Sequence, residues 1–251
     1  MTDFTDHPAL VSFWDFRGEP RGPLVAQGRG AYALYEQAGP MEHLDGEGPF
    51  GHSLRFREGQ WLRCPRADGP MLDLGGPDAE VTLVAWLRRA AKSNGICQAV
   101  AGMWDEMRRC RQYALFIGAM NQHNRQVGHV SNVGGPTQGD RYCQTGSVGQ
   151  TELPLGRWVC LTMAFGRGEV ASYLDGKPDG VWERNPEAFP FGLFEGGADG
   201  VDFTVGAVQR SRAPGPYDNF LVGDLGGLAV FDQRLDDTEI VAIATPRSTN
   251  A

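Results

Sequence analysis

Hydrophobic and polar positions alternate in twos along most of this chain. The alternation is clearest in WVCLTMAF (158–165), where Val159, Leu161, Met163 and Phe165 share one face of a predicted strand. VTLVAWLRR (81–89) places Val81, Leu83, Ala85 and Leu87 on one face and Thr82, Val84, Trp86 and Arg88 on the other. Both faces are partly apolar, so a central strand is expected, covered on one side by a second sheet and on the other by loops or a ligand. LVSFWDF (10–16) reads as an opening strand followed by a Gly/Pro-rich loop. HSLRFREGQWLRCP (52–65) reads as two short strands around Glu58-Gly59, and MLDLGG (71–76) as a further extended piece. In EVASYLDGKPDG (169–180), Asp175-Gly176 between extended segments is a hairpin signal, because Gly supplies a positive φ at little cost. DFTVGAV (202–208) and FLVGDLGGLAVF (220–231) supply two more strands. Asp236 and Glu239 then have the spacing of an N-cap and its third helical residue, which predicts a short closing helix that docks through Ile240 and Ile243. No other segment asks for a long helix, and no internal repeat is visible.

Composition agrees with this reading. Thirty-five glycines and 16 prolines suit many short strands joined by tight turns. One sandwich can use all 251 residues, so a single domain over 1–251 is expected. The net charge of −8 disfavours a nucleic-acid partner, whose phosphates are neutralised chiefly by Lys and Arg. Lys92 and Lys177 are the only lysines among 23 basic residues; the arginine excess fits either a compositional bias or two-pronged contacts to carboxylates. The N-terminus has no basic region and no apolar run long enough for a leader or a membrane span. The chain as given is therefore expected to be soluble and cytoplasmic, or secreted had a leader been removed. Cys64, Cys97, Cys110, Cys143 and Cys160 are odd in number and widely spaced, and read as buried thiols.

Four passages carry a family resemblance. HSLRFREGQWL, VTLVAWLRR with its Trp86, GRWVCLTMAF followed by EVASYLDGK, and GDLGGLAVFDQRLDDTEI resemble, in that order, the laminin-G-like members of the concanavalin-A-like jelly-roll superfamily of lectins and glucanases. The resemblance implies an all-β fold, an antiparallel two-sheet jelly-roll sandwich with short helices. It also implies an oligo- or polysaccharide partner bound across the concave sheet. No membrane partner is expected from a chain without a long apolar run, and no cofactor is expected to be required. Related jelly rolls often hold a structural Ca²⁺ near the opening and closing strands, which makes Asp15 and Asp224 candidate ligands.

The centre of the chain, 97–150, is richer in polar and aromatic residues than a minimal sandwich needs. Strands are expected at about 97–104, 111–118, 126–131 and 141–147. Trp104, Asp105, Glu106, Arg111, Gln112, Tyr113, His129, Ser131 and Tyr142 form a dense set on or beside them. Aromatic faces cover the C–H patches of sugars while planar polar groups satisfy hydroxyls, so Trp104, Asp105, Tyr113 and Ser131 are candidate substrate contacts. His129 is a candidate general base if its pKa lies near the working pH, and Tyr142 a candidate proton donor. On a regular strand Arg111 and Gln112 face opposite ways, so at most one shares a surface with His129. The Arg, Gln, His and Tyr residue types resemble those of jelly-roll polysaccharide lyases, although the strict lyase motifs are absent at their spacing. Glu106 would serve a hydrolase only with a second acid, such as Asp140 or Glu36, roughly 5–5.5 Å or 6.5–9.5 Å away. Three functions remain open from sequence: a lyase or glycoside hydrolase, a non-catalytic lectin-like module, and a protein-interaction domain.

Overall fold

In the computed structural model, residues 4–92, 97–180, 183–197, 200–209 and 217–245 are described. They form two sheets packed face to face. The first runs in spatial order β14 (Lys177–Pro178), β13 (Glu169–Leu174), β12 (Trp158–Gly166), β7 (Val81–Arg89), β19 (Gly223–Phe231), β5 (His52–Phe56) and β4 (Glu42–Asp45); β1 (Leu10–Trp14) also pairs with β19, and β15 (Glu187–Ala188) with β13. The second runs β11 (Gly146–Val148), β10 (Gln126–Val130), β9 (Cys110–Ile117), β8 (Gln98–Asp105), β16 (Phe203–Val205), β6 (Trp61–Cys64), β3 (Ala33–Gln37) and β2 (Leu24–Val25). The short β17 (Val208–Gln209) and β18 (Tyr217–Asp218) pair with each other at the end of β8. Pairing is antiparallel throughout except for the single parallel bridge between Gln209 and Asp105.

The alternation read from the sequence sets the layers. Val81, Leu83, Ala85 and Leu87 of β7 and Val159, Leu161, Met163 and Phe165 of β12 all enter the core between the sheets. Val84 and Trp86 enter a second cluster on the outside of the first sheet. That outer cluster is covered by Phe4, Phe50 and the closing helix α1 (Asp237–Ala244) through Ile240 and Ile243. The helix begins at Asp236, whose carboxylate accepts from Glu239 N at 2.9 Å while Glu239 accepts from Asp236 N at 2.8 Å. Asp175 and Gly176, at φ 49° and 80°, make the expected tight turn between β13 and β14.

The two short strands expected around Glu58-Gly59 are present; β5 belongs to the first sheet and β6 to the second, so this turn carries the chain across the sandwich. Two local expectations are corrected. Residues 70–72 form one 3₁₀ turn after Gly69 instead of a strand, with Pro70 preset for its first position. The fourth central strand spans only 146–148; residues 141–145 are irregular and pass over the outer face of the second sheet. No helix of the described residues is long and apolar enough to cross a membrane.

Candidate functional site

A third apolar cluster lies on the outer face of the second sheet and contains Ala99, Trp104, Ala114, Phe116, Val127, Cys143, Val148 and Val208. Above it is a cavity of about 220 Å³ walled by Trp104, Phe116 and His129 and rimmed by Glu106, Asn121, Tyr142, Gln144 and Asn219. Strand geometry explains the grouping. Antiparallel partners project to the same face, and β8, β9 and β10 are consecutive neighbours, with His129 opposite Ala114 and Trp104 opposite Arg111. The small Ala114 leaves room for the larger rings beside it. His129 lies 5.1 Å from Trp104 and 5.3 Å from Phe116 between ring centroids.

His129 is oriented from behind. Its Nδ1 is 3.0 Å from the carbonyl oxygen of Thr145, which can only accept, so Nδ1 carries the proton and Nε2 is left as an acceptor. Burial pushes the imidazole down to about 4, the charges of Arg184 and Arg111 acting in the same direction and the Thr145 carbonyl partly opposing them. The ring is therefore neutral at pH 7. Desolvation holds the imidazole below the range expected of a base poised near neutral pH.

A β-bulge decides between Arg111 and Gln112. Met103 pairs with Tyr113 and Trp104 with Arg111, so Gln112 is the extra residue and alternation restarts behind it. Arg111 thereby reaches the Trp104 side, its guanidinium 5.9 Å from that ring, and donates through Nη1 to Gly134 O at 3.0 Å. It is only 3% exposed, and burial lowers its pKa. Gln112 instead donates to Asp73 Oδ1 at 2.5 Å, and Asp73 also binds Arg66. Neither Arg111 nor Gln112 lines the cavity.

Other candidates fall outside the cavity. Tyr113 faces the inter-sheet core and donates to Leu72 O at 2.7 Å, burial raising its pKa well above the usual phenol value. Asp105 is buried and closes the following turn by accepting from Arg108 N and Nε at 2.9 and 2.8 Å. Ser131 Oγ accepts from Gly134 N at 3.0 Å and holds the next loop. Trp104, Glu106, His129 and Tyr142 are thus the sequence candidates that meet in one place. Glu36 is held by His43 and Met41 N elsewhere, and Asp140 is absent from the cavity walls.

The proposed cation ligands are engaged by arginines. Asp15 accepts from Arg17 N and Gln27 and pairs with Arg17 at 2.7 Å. Asp224 sits between Arg55 and Arg88, at 2.8 and 2.9 Å from their Nε atoms. Among the described residues no group of three or more His, Cys, Asp or Glu side chains is placed to hold a metal ion.

Several rim residues had no signal in strand periodicity. Asn121 and Asn219 lie in connections and adopt left-handed backbone, at φ 60° and 59°. Asn tolerates that conformation better than most residues, so the sequence reads them as ordinary turn positions. Buried Trp104 Nε1 and Arg111 Nε have no hydrogen-bond partner.

Solved structures with this fold come from proteins of different kinds. The binding domain of botulinum neurotoxin serotype G superposes with a TM-score of 0.63 at 11% identity, over 94% of this chain and 50% of that one. Domain 4 of a GH43 extracellular arabinanase from Geobacillus stearothermophilus, in complex with arabinotriose, gives 0.60 at 13% identity over 94% and 98%. Trypanosoma rangeli sialidase, as a covalent intermediate with 2,3-difluorosialic acid, gives 0.60 at 14% identity over 96% and 33%. The chain thus spans half the length of the toxin domain and one third of the sialidase chain. At these identities the likeness is one of fold. No family model matches the sequence, and no curated protein matches it.

Proposed function

We propose that this chain is a carbohydrate-binding β-sandwich of the concanavalin-A-like type, and that the cavity over β8, β9 and β10 receives one sugar ring of an oligo- or polysaccharide. The observation that carries the reading is the convergence of two aromatic walls, Trp104 and Phe116, with an oriented imidazole acceptor and a polar rim in one cavity. An aromatic wall covers the apolar face of a pyranose or furanose, while Nε2, the Glu106 carboxylate and the rim amides satisfy its hydroxyls. A volume of about 220 Å³ lies below the range of about 300–1,000 Å³ typical of drug-sized ligands, which favours a single ring. The arabinotriose held by the arabinanase domain of the same fold supports a saccharide ligand.

Binding is favoured over cleavage. Glu106 is the sole carboxylate among the described walls, whereas a hydrolase needs a pair. A histidine titrating at about 4 is poorly matched to proton abstraction at neutral pH, and Arg111 and Gln112, one of which a lyase would need to hold the carboxylate of a uronate, are turned to other partners. Calorimetry and a glycan array on the purified chain test the proposal. A sugar should bind without release of reducing ends and without the ultraviolet absorbance of an unsaturated uronide. His129→Ala, which removes one acceptor, should weaken binding by about two- to tenfold. Turnover abolished by His129→Ala and Tyr142→Phe would replace the binding reading by a catalytic one, and failure to bind any glycan would remove both.

A further inference from the structure

Six strands of the second sheet place one residue each in a single row on its outer face. Tyr35 of β3 pairs with Arg63 of β6, Arg63 with Thr204 of β16, Thr204 with Gly102 of β8, Gly102 with Ala114 of β9, and Ala114 with His129 of β10. The cavity occupies the His129 end. The opposite end carries Tyr35, 43% exposed although its neighbour Leu34 is fully buried. Beside it, Trp61 is stacked on Tyr217 with ring centroids 3.7 Å apart. Arg63 pairs with Asp202 there at 2.6 Å, and burial raises the pKa of the Tyr217 phenol, with the charges of Asp202 and Asp105 adding to the rise. This platform has the same chemistry as the cavity: aromatic faces beside planar polar groups.

The two ends are joined by continuous backbone. Tyr217 of the platform and Asn219 of the cavity rim are two residues apart, and Asp105, which acts on Tyr217, precedes the rim residue Glu106. Five strand spacings of about 4.8 Å separate Tyr35 from His129, or about 24 Å; Thr204, Gly102 and Ala114 between them are buried, so the route between the ends runs by Tyr217 and the rim residue Asn219. The span is far longer than one sugar ring and fits a short chain of them.

Building on the cavity reading, we propose that Tyr35, Arg63 and the Trp61–Tyr217 stack form a second saccharide subsite. It would bind residues of the same glycan beyond the ring seated at His129, beginning at Tyr217 beside the rim and reaching outward to Tyr35, making this a reader of a stretch of chain instead of a monosaccharide site. A flexible glycan spanning both sites gains from the second contact without a second association event.

The test uses the intact chain and three ladders by calorimetry: glucose, cellotriose and cellohexaose; arabinose, arabinotriose and arabinohexaose; galacturonate with its trimer and hexamer. In at least one ladder the wild type should bind the hexasaccharide at least tenfold more tightly than the monosaccharide. Tyr35→Ala, at an exposed position, should weaken the hexasaccharide by about two- to tenfold while leaving the monosaccharide unchanged. Tyr217→Ala should behave the same way, with circular dichroism confirming the fold. Equal affinity along every ladder that binds, or a hexasaccharide affinity untouched by both variants, overturns the second subsite and leaves the cavity reading standing. Absence of binding in all three ladders and on the array overturns both.

Discussion

His129→Asn isolates the cost of keeping an imidazole neutral inside the protein. Asn retains an amide donor for the Thr145 carbonyl but does not titrate. In the unfolded chain a histidine takes up its proton at about 6.5, whereas in the folded chain it does so only at about 4. Above 6.5 neither state is protonated and the residue contributes no pH dependence. As pH falls below 6.5 the unfolded state binds a proton that the folded state refuses, so stability is lost until about pH 4, where both are charged and the curve flattens. The full loss is about 3 kcal/mol, and about 2 kcal/mol of it lies between pH 7 and pH 5. The side chain is only 4% exposed, so solvent screening takes away little of this. Urea unfolding of both proteins at pH 7, 6 and 5 measures the effect as a difference, which cancels the contribution of every other titrating group. The wild type should lose about 2 kcal/mol more than His129→Asn across that range. Parallel curves, or a wild type that gains on acidification relative to the variant, would refute the picture of a buried, neutral His129.

Two further predictions concern the frame. Leu161 is fully buried between the sheets, so Leu161→Ala should cost about 2–5 kcal/mol in chemical unfolding; a cost below 1 kcal/mol would count against the inter-sheet core. Asp236→Ala removes one half of a reciprocal cap and should lower stability by about 0.5–2 kcal/mol without changing glycan affinity, and an unchanged melting temperature would speak against the cap.

What the sequence made legible depended on regularity. Val159, Leu161, Met163 and Phe165 alternate without interruption and lie where that pattern puts them, and Asp236 with Glu239 marks a helix start because the capping geometry has a fixed three-residue spacing. Tyr113 reads as one of a polar-aromatic site set but faces the core, where plain alternation with Leu115 and Ile117 puts it. The same reasoning failed at Arg111, because the extra residue at Gln112 resets the count there and a bulge has no compositional mark in Arg-Gln-Tyr. Asp15 and Asp224 were legible as acidic side chains near the first and last strands, yet the arginine partners of Asp224, Arg55 and Arg88, come from strands distant in sequence. The depressed pKa of His129 was illegible for the same reason, since burial is a property of the assembled sheet. Asn121, Gln144 and Asn219 reach the cavity from connections, where periodicity is silent.

The place of β19 has a consequence for how the protein is made. This strand is among the last of the described residues to be synthesised, yet it pairs with β1, β5 and β7, which precede it by more than a hundred residues. Until it emerges, β7 lacks one neighbour and β5 keeps an open edge, so the first sheet stays in two parts while most of the chain is already off the ribosome. Open, apolar strand edges are templates for pairing with other chains, and pairings of such long sequence separation form slowly. Nascent chains stalled before residue 223 should therefore be prone to association, and chaperone demand during expression should fall sharply once the Gly223–Phe231 strand has been released.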